Sequence, residues 1–264
     1  MPKNTTKNNV HDVWLQLREE ATKASQQQPL MASYFHANIL NHSTFSSAIC
    51  FFLSHHLSNG AVSSMMMQDV FAKAMSDDDT IEQLMQQDLM AHYTRDPACD
   101  QLITPFLYFK GYHAIQSYRI AHWLWQQKRR VLAYYMQSRI ATLFDVDIHP
   151  AASIAGGLMV DHATGVVIGE TAEIKENVSM LHAVTLGGSG AIMGKRHPTI
   201  AQGVLLSAGA KLFGGITIGA GTSVGAGSVV LESMPANSTV VGVPARVVGR
   251  SRSSMPALEM EHNR

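Results

Sequence analysis

The chain has 264 residues, 46% of them hydrophobic, with 20 Lys+Arg balanced by 20 Asp+Glu; it can bury a real core as one large domain or two modest ones. Zero formal charge argues against an electrostatic binder of nucleic acid or of a membrane surface. Cys50 and Cys99 lack the spacing of a disulfide framework or zinc knuckle, no apolar stretch backs the N-terminal lysines as a signal peptide requires, and no apolar run nears the ~18 residues of a membrane span, so the expected setting is the cytoplasm.

Glycine divides the chain. Only Gly60 and Gly111 occur before residue 145, and eighteen follow. Glycine disfavours helix by about 1 kcal/mol relative to alanine, so the first part can be helical and the second largely cannot. Residues 10–24 place Val10, Val13, Trp14, Leu17 and Ala21 on one helical face. Residues 41–57 carry Phe45, Ala48, Ile49, Phe52 and Leu57 at similar spacing, and 63–75 and 81–93 look alike. The stretch Ser76-Asp77-Asp78-Asp79 can cap the last of these, and Asp96-Pro97 marks a break. Residues 111–144 are apolar and aromatic and predict two helices meeting near Lys128. The run Met65-Met66-Met67 is expected to fill core rather than to form a binding surface.

From residue 148 to about 235 the pattern repeats every six residues. Aliphatics fall at Ile148, Ile154 and Val160, then after a two-residue slip at Ile168, Ile174, Met180 and Leu186, and again at Ile200, Leu206, Leu212, Ile218, Val224 and Val230. Three flat six-residue strands close one triangular coil of about eighteen residues; one aliphatic per strand points inward, and small residues make the corners. The expected fold is α+β: a helical N-terminal domain over 1–145, a parallel β-helix of hexapeptide repeats over 146–250, and a short polar, unstructured tail over 251–264. Stacked coils leave apolar flat sides that such proteins usually bury by trimerising. The stretch 187–199 breaks the period and predicts a loop on one face, where sites often sit.

Polar residues inside this repeat are the candidates for chemistry. Asp147 precedes His162 by fifteen residues, close to one coil, so the two could meet on the stacked surface. An aspartate on one imidazole nitrogen leaves the other as a base and stabilises the imidazolium. Two unrelated surface residues at a coil corner are the alternative. Arg196, in the protruding loop beside His197, could fork onto a carboxylate, or be merely solvated. Asp96 taken alone suggests only a helix end. His149, His162, His182 and His197 raise a rival, zinc held by histidines of adjacent subunits as in carbonic anhydrases of this fold; one base plus structural histidines suits their spacing better, and no metal is expected.

Taken together, Asp147-Ile148-His149-Pro150-Ala151-Ala152, Asp161-His162-Ala163-Thr164-Gly165, Val184-Thr185-Leu186-Gly187-Gly188, Arg196-His197-Pro198 and Gly242-Val243-Pro244-Ala245-Arg246 resemble the serine O-acetyltransferases, as does the helical stretch from Gly111-Tyr112-His113-Ala114 to Arg119-Ile120-Ala121-His122-Trp123-Leu124-Trp125. The likeness runs from about residue 10 to 250. It implies a left-handed β-helix and transfer of acetyl from acetyl-CoA to the L-serine hydroxyl. His162 is then the general base and Asp147 orients it, Asp96 and Asp161 hold the serine ammonium, and Arg196 and His197 hold its carboxylate. It further implies CoA along a groove between β-helices near Gly188, Ala208, Ala226, Thr239 and Arg246, with backbone N–H groups near Gly188 facing the oxyanion. Acetyl-CoA is a co-substrate, and no cofactor is bound permanently. Dimers of trimers and feedback inhibition by L-cysteine are the family's habits.

Two departures stand out. Relatives carry Gly-Thr-Gly-Lys and an Asp before Arg-His-Pro in the protruding loop, where this chain has Ala191 and Lys195, which moves charge around the site. Relatives that dock into cysteine synthase generally end in isoleucine, whereas Glu261-His262-Asn263-Arg264 closes this sequence, so weak or absent docking is expected. Competing expectations are an acyltransferase of this fold acting on a sugar, homoserine or an antibiotic, a zinc-dependent lyase, and a non-catalytic scaffold.

Overall fold

The computed structural model describes residues 10–190 and 194–260, with side chains from residue 13, so Val10, Ala191 and the last four residues through Arg264 fall outside the described side chains. The chain divides into two compact units, Met1–Phe109 and Lys110–Arg264.

The first unit is helical: α1 (Val10–Gln27), α2 (Ala32–Phe35) running into a π-turn at His36–Leu40, α3 (Phe45–Leu57), α4 (Ser64–Asp77), α5 (Thr80–Arg95) and α6 (Ile103–Tyr108). The predicted apolar faces are buried through Val13, Leu17 and Ala21 of α1 and Phe45, Ala48, Ile49, Phe52 and Leu57 of α3, while Trp14, placed on the α1 face, is only half-buried. Phe106 of α6 packs 5.8 Å from Phe45 and 6.0 Å from Phe52. Side chains satisfy the unpaired N–H groups at helix starts: Thr44 and Ser47 form a capping box on α3, Ser63 accepts from Met66 N, and Asp78 accepts from Thr80 N at 2.9 Å. α2 and α6 are too short to show a 3.6-residue period, and the sequence does not announce them. Of the methionine run only Met67 is core, while Met65 and Met66 are exposed. Both cysteines are buried and neither is in a disulfide; burial, and secondarily Glu82, pushes the Cys50 thiol up to about 12.

The second unit is a parallel β-solenoid of about five turns preceded by α7 (Lys110–Gln126) and α8 (Arg130–Phe144), which meet at Lys128 in the left-handed region. Its aliphatics stack in register as three ladders: Ile148, Ile168, Leu186, Leu212 and Val230 on one side; Ile154, Ile174, Ile200 and Ile218 on the second; Val160, Met180, Leu206, Val224 and Val240 on the third. All thirteen positions of the predicted repeat are buried.

A boundary near residue 145 was expected, and the unit boundary instead lies before α7. The reason is the open end of the solenoid. The first coil has no coil beneath it to pair with its carbonyls, and a buried unpaired carbonyl is costly. α7 supplies the donors. Tyr118 Oη donates to Ala152 O, Arg119 reaches Ile154 O (3.1 Å) and Ala155 O (3.0 Å), and His122 Nδ1 lies 2.8 Å from Pro150 O. Gly111 lets the helix come close: a Cβ there would stand 2.1 Å from Val160 O. Gly111→Ala should therefore cost about 1–3 kcal/mol as α7 is pushed off the coil; a denaturation midpoint equal to wild type would show that the helix can lift without loss.

The far end is closed by an antiparallel hairpin, Ser238–Gly242 with Ala245–Arg250. The tail past residue 250 is structured through residue 260, against expectation. Helix α9 (Pro256–Glu259) buries Ala257, whose N–H donates to Gly203 O (3.2 Å) and whose carbonyl accepts from Ser179 Oγ (2.8 Å). Pro256 and Ala257 are the small apolar pair that lets an otherwise polar segment dock. No helix among the described residues is long and apolar enough to cross a membrane.

Candidate active site

Two clusters of the expected residues form at opposite ends of the strand Val166–Ile168. The first is the turn Asp161-His162-Ala163-Thr164-Gly165, which enters the strand. His162 and Ala163 both have positive φ (56° and 58°), a region most side chains avoid. Short bonds within the turn support it, Ala163 N to Asp161 O and Thr164 N to His162 O, while Gly165 N reaches Asp145 O at 2.8 Å. The result presents the imidazole outward, with 71% of its side-chain surface exposed, Asp161 Oδ2 3.5 Å from Nε2 and the His182 ring edge-on to it with centroids 5.9 Å apart.

Asp147 lies on the exposed face of the first coil, in register with Val167 of that same strand. Its Oδ1 accepts from Gln137 Nε2 of α8 at 2.7 Å. The carboxylate beside His162 is that of Asp161, and no hydrogen bond or ion pair joins Asp147 to the imidazole. Sequence spacing paired the ring with Asp147, and the resemblance gave Asp161 to the serine ammonium; in the structure Asp161 is the carboxylate within ion-pair distance of the ring.

The second cluster follows the strand. Arg196 Nη2 bonds Glu170 Oε2, which, with its hydrogen bond as the main cause, holds the Glu170 carboxyl below its ordinary range. Thr171 is the organiser. Its Oγ1 accepts from the N–H groups of Arg196 and His197, both at 3.0 Å, and its own hydroxyl and N–H turn toward His197 Nδ1 at 2.9 and 3.2 Å. With Nδ1 accepting, the proton of the neutral ring sits on Nε2. Burial, then Arg196, lowers the His197 pKa, so the ring is neutral and offers Nε2–H as a donor. That edge rests on glycine backbone: a Cβ on Gly169 would meet Nε2 at 2.0 Å, and one on Gly188 at 3.0 Å. Glu170 and Thr171 escaped the sequence reading, although Gly169-Glu170-Thr171 is where a polar pair breaks the aliphatic pattern. Lys195 is paired rather than loose, with its ammonium 2.9 Å from Glu173 and 2.7 Å from Thr171 O, so its charge is largely met by the preceding coil.

His149 packs edge-on against Trp125 (4.9 Å) and Tyr134 (5.8 Å) and accepts from Ala151 N, so it is a packed, neutral ring; burial is the main cause that lowers its pKa. Among the described residues no three His, Cys, Asp or Glu side chains converge as metal ligands.

The remaining expected residues are scattered. Asp96 belongs to the first unit, where it ends α5 and accepts from Ala98 N. Ala208 and Ala226 stack one coil apart, Gly227 N donating to Ala208 O, on the corner that also carries His162 and His182. Thr239 is in the closing hairpin and hydrogen-bonds Arg250 O, and Arg246 pairs with Glu232 at 2.7 Å.

A family model described as "Serine acetyltransferase, N-terminal" matches residues 13–117. The serine acetyltransferase of Escherichia coli strain K12 is 45% identical over 251 residues, 95% of this chain and 92% of that protein. Among solved structures, a serine acetyltransferase in complex with cysteine superposes with a TM-score of 0.95 at 43% identity, covering 97% of this chain and 100% of that one. The Neisseria gonorrhoeae enzyme in complex with serine gives 0.88 at 45% (92% and 100% covered), and the Brucella abortus strain S19 enzyme with coenzyme A gives 0.89 at 45% (90% and 96%).

Proposed function

This chain belongs to the serine acetyltransferase family, and from that premise we propose how its own residues carry out the reaction. It transfers the acetyl group of acetyl-CoA to the hydroxyl of L-serine, giving O-acetyl-L-serine and CoA, the first step of cysteine biosynthesis. Serine, CoA and cysteine are its small-molecule partners, and acetyl-CoA is the co-substrate.

The observation that carries the assignment of roles is the outward-facing imidazole of His162 on its left-handed turn. His162 accepts the serine hydroxyl proton as the oxygen attacks the thioester carbon. The tetrahedral intermediate collapses with loss of CoA thiolate, which takes up a proton, and N–H groups near Gly188 face the oxyanion. Asp161, with Asp96 on resemblance alone, meets the ammonium; Asp147 orients the imidazole once substrate is bound. Arg196 and the Nε2–H of His197 bind the carboxylate. CoA follows the small-residue corner of Gly188, Ala208 and Ala226 toward Thr239 and Arg246.

Arg196 and His162 flank one strand. At about 3.3 Å per residue such a strand is longer than a serine molecule. The serine site is therefore placed where the His162 corner of one copy meets the Arg196 corner of the next in a trimer, each copy supplying one end of the substrate's contacts. The exposed Val167 and Phe213 between these corners suit burial in that contact. Pairing of trimers, feedback inhibition by cysteine and residence in the cytoplasm complete the proposal.

Two measurements test it. CoA release must depend on L-serine and be far slower with homoserine or threonine; serine-independent release would sink the substrate assignment. Inactive His162→Ala and Arg196→Ala proteins, unfolded and refolded together, should regain activity as mixed trimers form. Mixtures as inactive as their parents would place both residues in one copy's site.

A further inference from the structure

We propose that Lys110 is a positioning residue for acetyl transfer, its ammonium holding the turn that presents His162 through a bond to Thr164 Oγ1 at 2.6 Å. The inference rests on His162 being the base and extends that reading to a side chain outside the solenoid.

The turn needs such a brace. His162 and Ala163 are consecutive non-glycine residues at positive φ, and such conformations persist where surroundings over-determine them. From the solenoid side, Gly165 N is tied to Asp145 O and Thr164 O accepts from Ala183 N. Those bonds fix the exit of the turn and the coil above it. The opposite side is held by the start of α7. A Cβ built on Gly111 would stand 2.1 Å from Val160 O and 3.1 Å from Ala163 Cβ, so the helix backbone lies close against the turn, and Lys110, one residue earlier, reaches over to Thr164 Oγ1. The lysine therefore bonds the residue two after His162 in a segment whose only other side-chain hydroxyl contact is the long one to His162 O at 3.5 Å. It binds no reacting atom. It sets where the imidazole stands relative to the hydroxyl it deprotonates, a distance on which rate depends steeply.

Lys110→Met, Lys110→Arg, Thr164→Val, the Lys110→Met/Thr164→Val double and His162→Ala test this by CoA release and thermal melting on the full chain. Lys110→Met should lower kcat about tenfold, with KM for both substrates within about twofold and an unchanged melting temperature. Arginine, which still donates to the hydroxyl, should recover most of the loss. Thr164→Val should match Lys110→Met, and the double should be no worse than either single, because both remove one bond. A wild-type kcat in Lys110→Met, multiplying losses in the double, or a kcat loss that tracks a lowered melting temperature and ignores arginine each overturns the role. An inactive His162→Ala beside a normal Lys110→Met removes the lysine's role alone, whereas an active His162→Ala removes the base assignment and this inference with it.

Discussion

His162→Ala should lower kcat by about 10²–10⁴-fold, with the KM for acetyl-CoA and the melting temperature close to wild type. A serine hydroxyl is a poor nucleophile until its proton has somewhere to go, and a neutral imidazole beside it can accept that proton. The side chain is 71% exposed, so its truncation removes little packing. Alanine, like histidine, is disfavoured at φ 56°. His162→Asn provides the control, because asparagine adopts the left-handed region readily and is not a base at neutral pH. Both variants should be equally slow. If asparagine restores turnover, the defect of the alanine variant is conformational and another group takes the proton.

Arg196→Met should raise the KM for serine about 10–100-fold and reduce kcat much less, as expected when binding shared by ground and transition states is removed. Lysine at this position should recover only part of the loss, since an ammonium cannot make the two parallel bonds of a guanidinium. The variant also strands Glu170. In the native protein Arg196 depresses the Glu170 pKa, so their pairing is complete above the ordinary carboxylate range and is lost only as pH falls through the depressed value. Serine KM in the native enzyme should hold steady from neutrality down to that range, and Glu170→Gln should abolish the acid rise that follows. A serine KM within threefold of wild type in Arg196→Met would remove the arginine from the substrate site.

The solenoid was legible almost residue by residue. Ile148 through Val230 could be placed inward from spacing alone because a hexapeptide coil uses one local rule at every turn, and glycine, occurring only twice before it, marked where it begins. The long helices were legible for the same reason, Val13, Leu17 and Ala21 repeating over a span that periodicity can reveal. Helices of four to six residues such as α2 and α6 give no period to find, and their existence depends on what packs on them.

The site was legible as residue types and not as an arrangement. The sequence, with its resemblance, singled out His162, Asp161, Arg196 and His197; it could not show Thr171 gathering two backbone N–H groups and an imidazole, nor Glu170 engaging Arg196, because those partners lie a coil apart. The unit boundary and the docked tail depend likewise on contacts distant in sequence. α7 belongs with the solenoid since Tyr118 and Arg119 satisfy carbonyls that only an unpartnered first coil exposes, and α9 holds because Gly203 and Ser179 happen to lie where Ala257 can reach them. Sequence alone therefore determined the repeat and the split between helix and coil, since both are written in local spacing and side-chain type. Tertiary structure decided which carboxylate lies beside His162, how Lys110 and the close approach at Gly111 hold its turn, and which strand separates His162 from Arg196, since bonds between groups far apart in the chain exist only once the coils are stacked.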